Sequence, residues 1–270
     1  MHFTKMQGLG NDYLYVYGKV PENIRALSRA LSDRHFGAGS DGMIYISGSD
    51  KADFSMRIFN ADGSEAKMCG NGIRCVGKYV YDKGYTKNKH LKIETLSGIK
   101  ELWLHVSEGA VETVTVNMGA VKTEEKKTLY IMGRKLELTP VSVGNPHAVV
   151  FVDDAEDVPV CEIGAEIENS GAFPDGVNVE FVSLRPDGTL RMRVRERGSG
   201  LTMACGTGAC ASVAAALKKG IIKPFSQVSV MLDGGRLEIL LNEKGEAIMT
   251  GPAVTVYEGE CQEEKVNAYT

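Results

Sequence analysis

Cys69-Gly70-Asn71-Gly72 and Cys205-Gly206-Thr207-Gly208 are one motif written twice, 136 residues apart. Working outward, Met56-Arg57 returns as Met192-Arg193 and Lys83-Gly84 as Lys219-Gly220 at the same spacing. Gly10-Asn11 returns as Gly144-Asn145, and Asp41-Gly42 as Asp175-Gly176, both 134 residues apart. One matching dipeptide carries no weight. Five matches in the same order, within two residues of one spacing, mark an internal duplication.

Local patterns repeat with the motif. Residues 54–59 and 190–195 both alternate apolar and polar side chains, the period of half-buried strands. A Gly-bearing turn and then the cysteine follow each. Ile73–Lys83 and Ala209–Lys219 have helical character, and each ends in Lys-Gly, a cation in the last turn before a helix-stopping glycine. Short stretches rich in Val, Ile and Thr at 91–94, 111–117, 149–152 and 228–232 predict further strands. The expected fold is α+β: two pseudo-symmetric, strand-rich domains related by duplication, each with a prominent helix. The halves are residues 1–116 and 117–252, with the boundary in the Lys- and Glu-rich stretch up to Lys127.

Bulk properties agree. At 270 residues the chain is long enough for two domains, and 43% hydrophobic with 24% charged residues is ordinary for a packed globular protein. With 31 Lys and Arg against 35 Asp and Glu, the net charge is −4 and no basic stripe suggests nucleic acid as a partner. Apolar runs such as Ala148–Val152 are far shorter than the roughly 20 residues of a membrane-spanning helix. Residues 1–8 hold no apolar core of signal-peptide length, so the cytoplasm is the expected location and the six cysteines are expected as thiols. None of them forms a C-x-x-C pair, which argues against a metal site. No phosphate-binding glycine loop precedes a candidate Schiff-base lysine, so no cofactor is expected.

Cys69 and Cys205 each stand where a strand-turn hands over to a helix. Unpaired N–H groups and a positive partial charge at a helix N-terminus are expected to lower a thiol pKa from about 8.5 toward neutrality. The same N–H groups, from Gly70, Asn71, Gly206 and Thr207, can hold a carboxylate. Each half thus offers a thiol beside an anion cradle. That pairing suits proton transfer at a carbon next to a carboxylate, one thiol on each face, with both halves meeting in an interdomain cleft. Cys75, Cys161, Cys210 and Cys261 lack this context and are read as packing residues.

Residues 59–75 and 196–210, with Gly8-Leu9-Gly10-Asn11-Asp12-Tyr13 and Gly144-Asn145-Pro146-His147, resemble the signature motifs of the diaminopimelate epimerase family. The stretch Gly251-Pro252-Ala253 with Val256-Tyr257-Glu258-Gly259 resembles that family's closing strand. The resemblance implies a cofactor-independent isomerase interconverting LL- and meso-diaminopimelate for lysine and peptidoglycan synthesis. It also implies a return of residues 253–270 to the first domain, and a homodimer. By position it implies that Cys69 and Cys205 are the acid/base thiols, assisted by His147 and Glu196. Asn11, Asn60, Asn145, Asn178, Glu196 and Arg197, with the backbones of Gly70, Asn71, Gly206 and Thr207, are the implied substrate contacts. Glu196 and Arg197 pose a geometric question, because neighbours on a strand face opposite ways. Some family members carry Gln where this chain has Gly42, so no side-chain contact is expected there.

Other epimerases or racemases of this type, acting on lanthionine, histidine or proline-like substrates, share the reacting centre and differ at the far end. Asn60, Asn178, Glu196 and Arg197 favour a second amino-acid head group. Sequence alone does not separate diaminopimelate from lanthionine. A thiol protein serving as a redox sensor is the reading from outside enzymology.

Overall fold

A computed structural model describes residues 1–261. The chain divides into two compact units, Met1–Val116 with the segment from Gly251, and Asn117–Thr250.

In the first unit, β1 (His2–Gly8) and β2 (Asn11–Tyr17) form a hairpin. Its two-residue turn, Leu9-Gly10, has φ of 58° and 84°, as a turn matched to the strand twist requires. Next come α1 (Ile24–Ser32), β3 (Gly42–Ser47), β4 (Phe54–Asn60) and the short β5 (Glu65–Ala66). They are followed by α2 (Gly70–Asp82), β6 (His90–Thr95), β7 (Gly98–Ser107) and β8 (Ala110–Ala120). The pairs β2–β3 and β4–β6 are parallel, because α1 and α2 provide the crossovers that parallel neighbours need. The pairs β1–β2, β3–β4, β6–β7 and β7–β8 are antiparallel. Helix α2 touches β1, β2 and β7, so the sheet wraps around it. Gly77 makes the fit possible: a Cβ there would sit 2.9 Å from Leu104 Cδ2 and 3.0 Å from Leu102 Cδ2 of β7.

The second unit repeats this plan. It contains β9 (Lys122–Thr123), β10 (Lys127–Ile131), β11 (Arg134–Ser142), β12 (Pro146–Phe151) and α3 (Val160–Asn169). It continues with β13 (Asn178–Leu184), β14 (Leu190–Glu196), β15 (Gly200–Thr202), α4 (Gly206–Lys218), β16 (Gln227–Leu232), β17 (Gly235–Leu241) and β18 (Glu246–Pro252). The parallel pairs are again those bridged by helices, β12–β13 across α3 and β14–β16 across α4. Helix α4 touches β11, β12, β13, β14, β16 and β17, and its run from Gly208 to Ala216 is buried throughout. A helix enclosed in this way must be apolar all round. Ala209, Ala211, Ala214, Ala215 and Ala216 keep it slender enough to be surrounded.

Strand β19 (Val254–Glu260) pairs antiparallel with β1, from Gln7↔Val254 to His2↔Glu260. The part of the returning segment beyond residue 261 lies outside the described residues.

One sequence expectation needs correction. The long helices begin at Gly70 and Gly206, three residues earlier than periodicity predicts, because each cysteine is the N-cap and the glycine-bearing triplet forms the first turn. Each unit also holds a second helix, α1 or α3, 136 residues apart. The α1 signal is present in the sequence: Ile24, Leu27, Ser28 and Leu31 are buried at helical spacing while Arg25 and Arg29 are exposed. The expected C-terminal stop is observed in both long helices. Gly84 (φ 78°) and Gly220 (φ 74°) take the left-handed position, and Tyr85 and Ile221 donate back to Val80 and Ala216.

Candidate active site

In the first unit the hairpin turn delivers Asn11 to Cys69. The thiol donates to Asn11 Oδ1 at 3.2 Å, and Gly72 N–H donates to Cys69 Sγ at 3.3 Å. Asn11 Nδ2 is held by Asp41 Oδ2 at 2.8 Å, the same oxygen that takes the Asp12 N–H at 3.0 Å. Arg34 Nη2 anchors the other Asp41 oxygen at 3.0 Å. The amide orientation is therefore determined by a chain of bonds leading to Arg34. Tyr13 is buried behind the thiol. Burial pushes its phenol pKa well above the ordinary value, and the nearby Cys69 and Asp41 push it the same way. Gly70 and Asn71 form the first turn of α2, with Asn71 buried. Asn60 closes β4, its Nδ2 donating to Ser64 Oγ at 3.0 Å and its carbonyl accepting from Ser28 Oγ at 2.9 Å.

Gly42 is paired with Asn60, and a Cβ on it would lie 2.2 Å from Phe59 O. The backbone excludes a side chain there.

In the second unit one chain of contacts leads from the thiol inward. Cys205 Sγ lies 3.4 Å from Thr207 Oγ1, and Asn145 Nδ2 donates to that hydroxyl at 3.3 Å. Asn145 Oδ1 meets His147 Nε2 at 3.0 Å, and His147 Nδ1 meets Glu180 Oε1 at 2.6 Å. Gly208 N–H donates to Cys205 Sγ at 3.3 Å, as Gly72 does to Cys69. Asn178 stands opposite His147 in the β12–β13 register, with its Nδ2 on Pro146 O at 3.0 Å and its Oδ1 accepting from Arg197 N at 3.0 Å. Glu196 is the last residue of β14, so Arg197 lies past the strand end and strand alternation no longer constrains it. Thr202 Oγ1 donates to Glu196, and the Arg197 guanidinium donates to Asp175 O.

The electrostatics of Cys205 depart from expectation. Burial pushes the Cys205 pKa well above the ordinary thiol value, and the carboxylates of Glu196 and Glu180 push it further. Thr207 and the Gly208 N–H act the other way and are outweighed. A helix N-terminus contributes a fraction of a charge, too little to offset full desolvation beside two acids. Replacing Glu196 by Gln removes one of those charges. Iodoacetamide should then label Cys205 at lower pH than in the wild type, by peptide mass spectrometry. An unchanged pH dependence would mean that Glu196 does not act on the thiol.

Sequence reasoning missed Glu180, Tyr13 and Asp41. Glu180 was detectable as a single carboxylate in the otherwise largely apolar run Val177-Asn178-Val179-Glu180-Phe181-Val182. Asp41 lies in a repeated dipeptide but gives no sign of gripping Asn11. Among the described residues no group of three or more His, Cys, Asp or Glu is placed to hold a metal ion. No helix there is long and apolar enough to cross a membrane.

The family model for diaminopimelate epimerase matches residues 3–124 and 139–256. The chain belongs to that family. A diaminopimelate epimerase of Phocaeicola vulgatus is 51% identical over 96% of this chain and 98% of its own length. One from Methanococcus maripaludis is 49% identical over 96% of this chain and 99% of its own. Among solved structures, a hydroxyproline epimerase from Agrobacterium vitis aligns with a TM-score of 0.76 at 18% identity, covering 96% of this chain and 91% of that one. A Bacillus anthracis phenazine biosynthesis protein of the PhzF family aligns at 0.77 and 19%, covering 97% and 99%. At such identities the likeness is one of fold, shared by the family with proline racemase-type and PhzF-type proteins.

Proposed function

We propose that the protein is a two-base isomerase that interconverts LL- and meso-diaminopimelate. The observation that carries this reading is the repeated unit of a thiol capping a helix N-terminus beside an amide side chain, Cys69 with Asn11 and Cys205 with Asn145 through Thr207. In this reading the thiolate of one cysteine takes the α-proton, and the thiol of the other delivers a proton to the opposite face. Electrons and protons balance with no redox step, and the reaction uses no cofactor. The first-turn N–H groups of Gly70, Asn71, Gly206 and Thr207 receive the α-carboxylate. They stabilise the charge that builds on it as the carbanion forms. Glu196 accepts an ammonium and Arg197 a carboxylate, by side chain or backbone. Asn60 and Asn178 read the remainder of a second amino-acid head group.

Glu196 and His147 complete the proton chemistry of the second thiol. Because Cys205 is held as a thiol by burial and by the charge of Glu196, a substrate ammonium that neutralises Glu196 removes the charge opposing its ionisation. Substrate binding and thiolate formation are then coupled. The cytoplasm and a homodimer go with this reading, and sedimentation of the purified protein checks the latter.

The test is LL-diaminopimelate in D₂O with reduced protein and no added cofactor. Deuterium at the α-carbon together with meso product is the expected result. Lanthionine turnover with no exchange of diaminopimelate would overturn the substrate assignment, and an absorbance band above about 400 nm, as from a Schiff base, would overturn the cofactor-free mechanism.

A further inference from the structure

The two halves of the duplication are not equivalent behind their thiols. The residue 136 positions before Glu180 is Ile44, and the residue 134 before His147 is Tyr13. Both substitutions fall at one place in the fold. A Cβ on Gly72 would lie 2.7 Å from Ile44 Cδ1, and a Cβ on Gly208 would lie 2.8 Å from Glu180 Oε1. The same strand position thus presses on the first turn of each thiol-bearing helix, with a methyl group in one unit and a carboxyl in the other.

A carboxyl has no packing reason to be there. Glu180 is wholly buried, and among the described residues its Oε2 has no hydrogen-bond partner. Leaving a buried polar oxygen unpaired is destabilising, a cost that an isoleucine would avoid. The compensation is Oε1, at 2.6 Å from His147 Nδ1.

The hydrogen-bond chain fixes where the protons lie. Asn145 spends its Nδ2 on Thr207, so its Oδ1 faces His147 Nε2, and an amide oxygen only accepts. Nε2 therefore carries a hydrogen. A 2.6 Å contact between Nδ1 and Oε1 needs one proton between them. The pair is net neutral wherever that proton sits, as imidazole with carboxylic acid or imidazolium with carboxylate. A proton on Oε1 also makes the partnerless Oε2 a carbonyl oxygen, cheaper to leave unpaired than a carboxylate oxygen.

We infer that Glu180 is a positioning residue for the second thiol. By sharing one proton with His147 Nδ1, it holds the ring with Nε2–H directed along the Asn145–Thr207 bridge to Cys205. This gives Cys205 a neutral neighbour that becomes cationic at the ring by a proton shift of under an ångström, a device absent behind Cys69, where Tyr13 and Ile44 stand. The inference rests on the two-thiol reading for its kinetic consequence but not for its proton geometry.

The test combines two measurements on the full-length protein. Nitrogen-15 NMR of labelled histidine should show, for His147, a proton on Nε2 and a strongly deshielded, hydrogen-bonded proton at Nδ1. Glu180→Gln should abolish the deshielded proton and lower kcat at least about tenfold while KM stays within about threefold, the split expected when transition-state rather than ground-state interactions are lost. A wild-type spectrum with a bare Nδ1, or a Gln variant with unchanged kcat, overturns the inference. If Glu180→Gln does not fold, the wild-type spectrum still decides. If the wild type epimerises nothing, the functional reading fails while the spectrum continues to test the shared proton.

Discussion

Cys69→Ala and Cys205→Ala should each yield a folded protein whose epimerisation has fallen by a factor of about a hundred to ten thousand, the range lost with one general acid or base. On the proposed two-base reading both thiols are needed, because a base on one face of the α-carbon cannot return a proton to the other. The structure adds a control. Each sulfur is also an N-cap, taking the N–H of Gly72 or Gly208, and losing a cap costs about 0.5–2 kcal/mol. The Cys→Ser variants keep a capping oxygen but replace the thiol by a far weaker acid. If activity follows acidity, the Ser and Ala variants are equally inactive while the Ser variants melt higher. Chiral chromatography of product and thermal unfolding separate the two effects. Substantial epimerisation by either Ala variant would end the two-base assignment.

Why the thiols could be found in the sequence and their supports could not is a matter of distance along the chain. The duplicated Cys-Gly-x-Gly motif is contiguous, so both cysteines, both N–H cradles and the long helices were legible together. Asn11 and Asn145 were legible only through the family resemblance, because an Asn after Gly by itself marks no more than a turn. Glu180 and Asp41 act from strand β13 and the loop before β3, tens of residues from the thiols they influence, and only pairing brings them there. On β13, Asn178 and Glu180 alternate with Val179 and Phe181, which reads as a strand with one solvated face, yet Asn178 through Ser183 are all buried. The carboxylate is visible in the sequence, but its enclosure on both faces is not. The Cys205 pKa departs from expectation for a related reason. The helix terminus is visible in sequence, whereas the burial that outweighs it is a property of the folded unit.

The same two-sided burial makes the second unit vulnerable at Phe181. Residues on β13 alternate: Glu180 faces the first turn of α4, while Val179 and Phe181 belong to the core under α3 with Val160, Ile167, Val177 and Leu138. Phe181 is 1% exposed and among the largest fully buried side chains. Phe181→Ala should therefore destabilise the protein by about 3–5 kcal/mol, the transfer loss plus an unfilled cavity. That corresponds to a fall in Tm of roughly 10–20 °C for a domain of this size. Phe36, 82% exposed, provides the contrast: Phe36→Ala should change stability by no more than about 0.5 kcal/mol. The comparison holds the chemistry of the substitution constant and varies only burial. Because β13 also carries Asn178 and Glu180, loosening its core face should raise the hydrogen-exchange rate of its amides before the unit unfolds as a whole. A Phe181→Ala protein that melts within a degree or so of wild type would mean that α3 does not hold β13 in place, and that the Glu180 side chain is anchored by His147 alone.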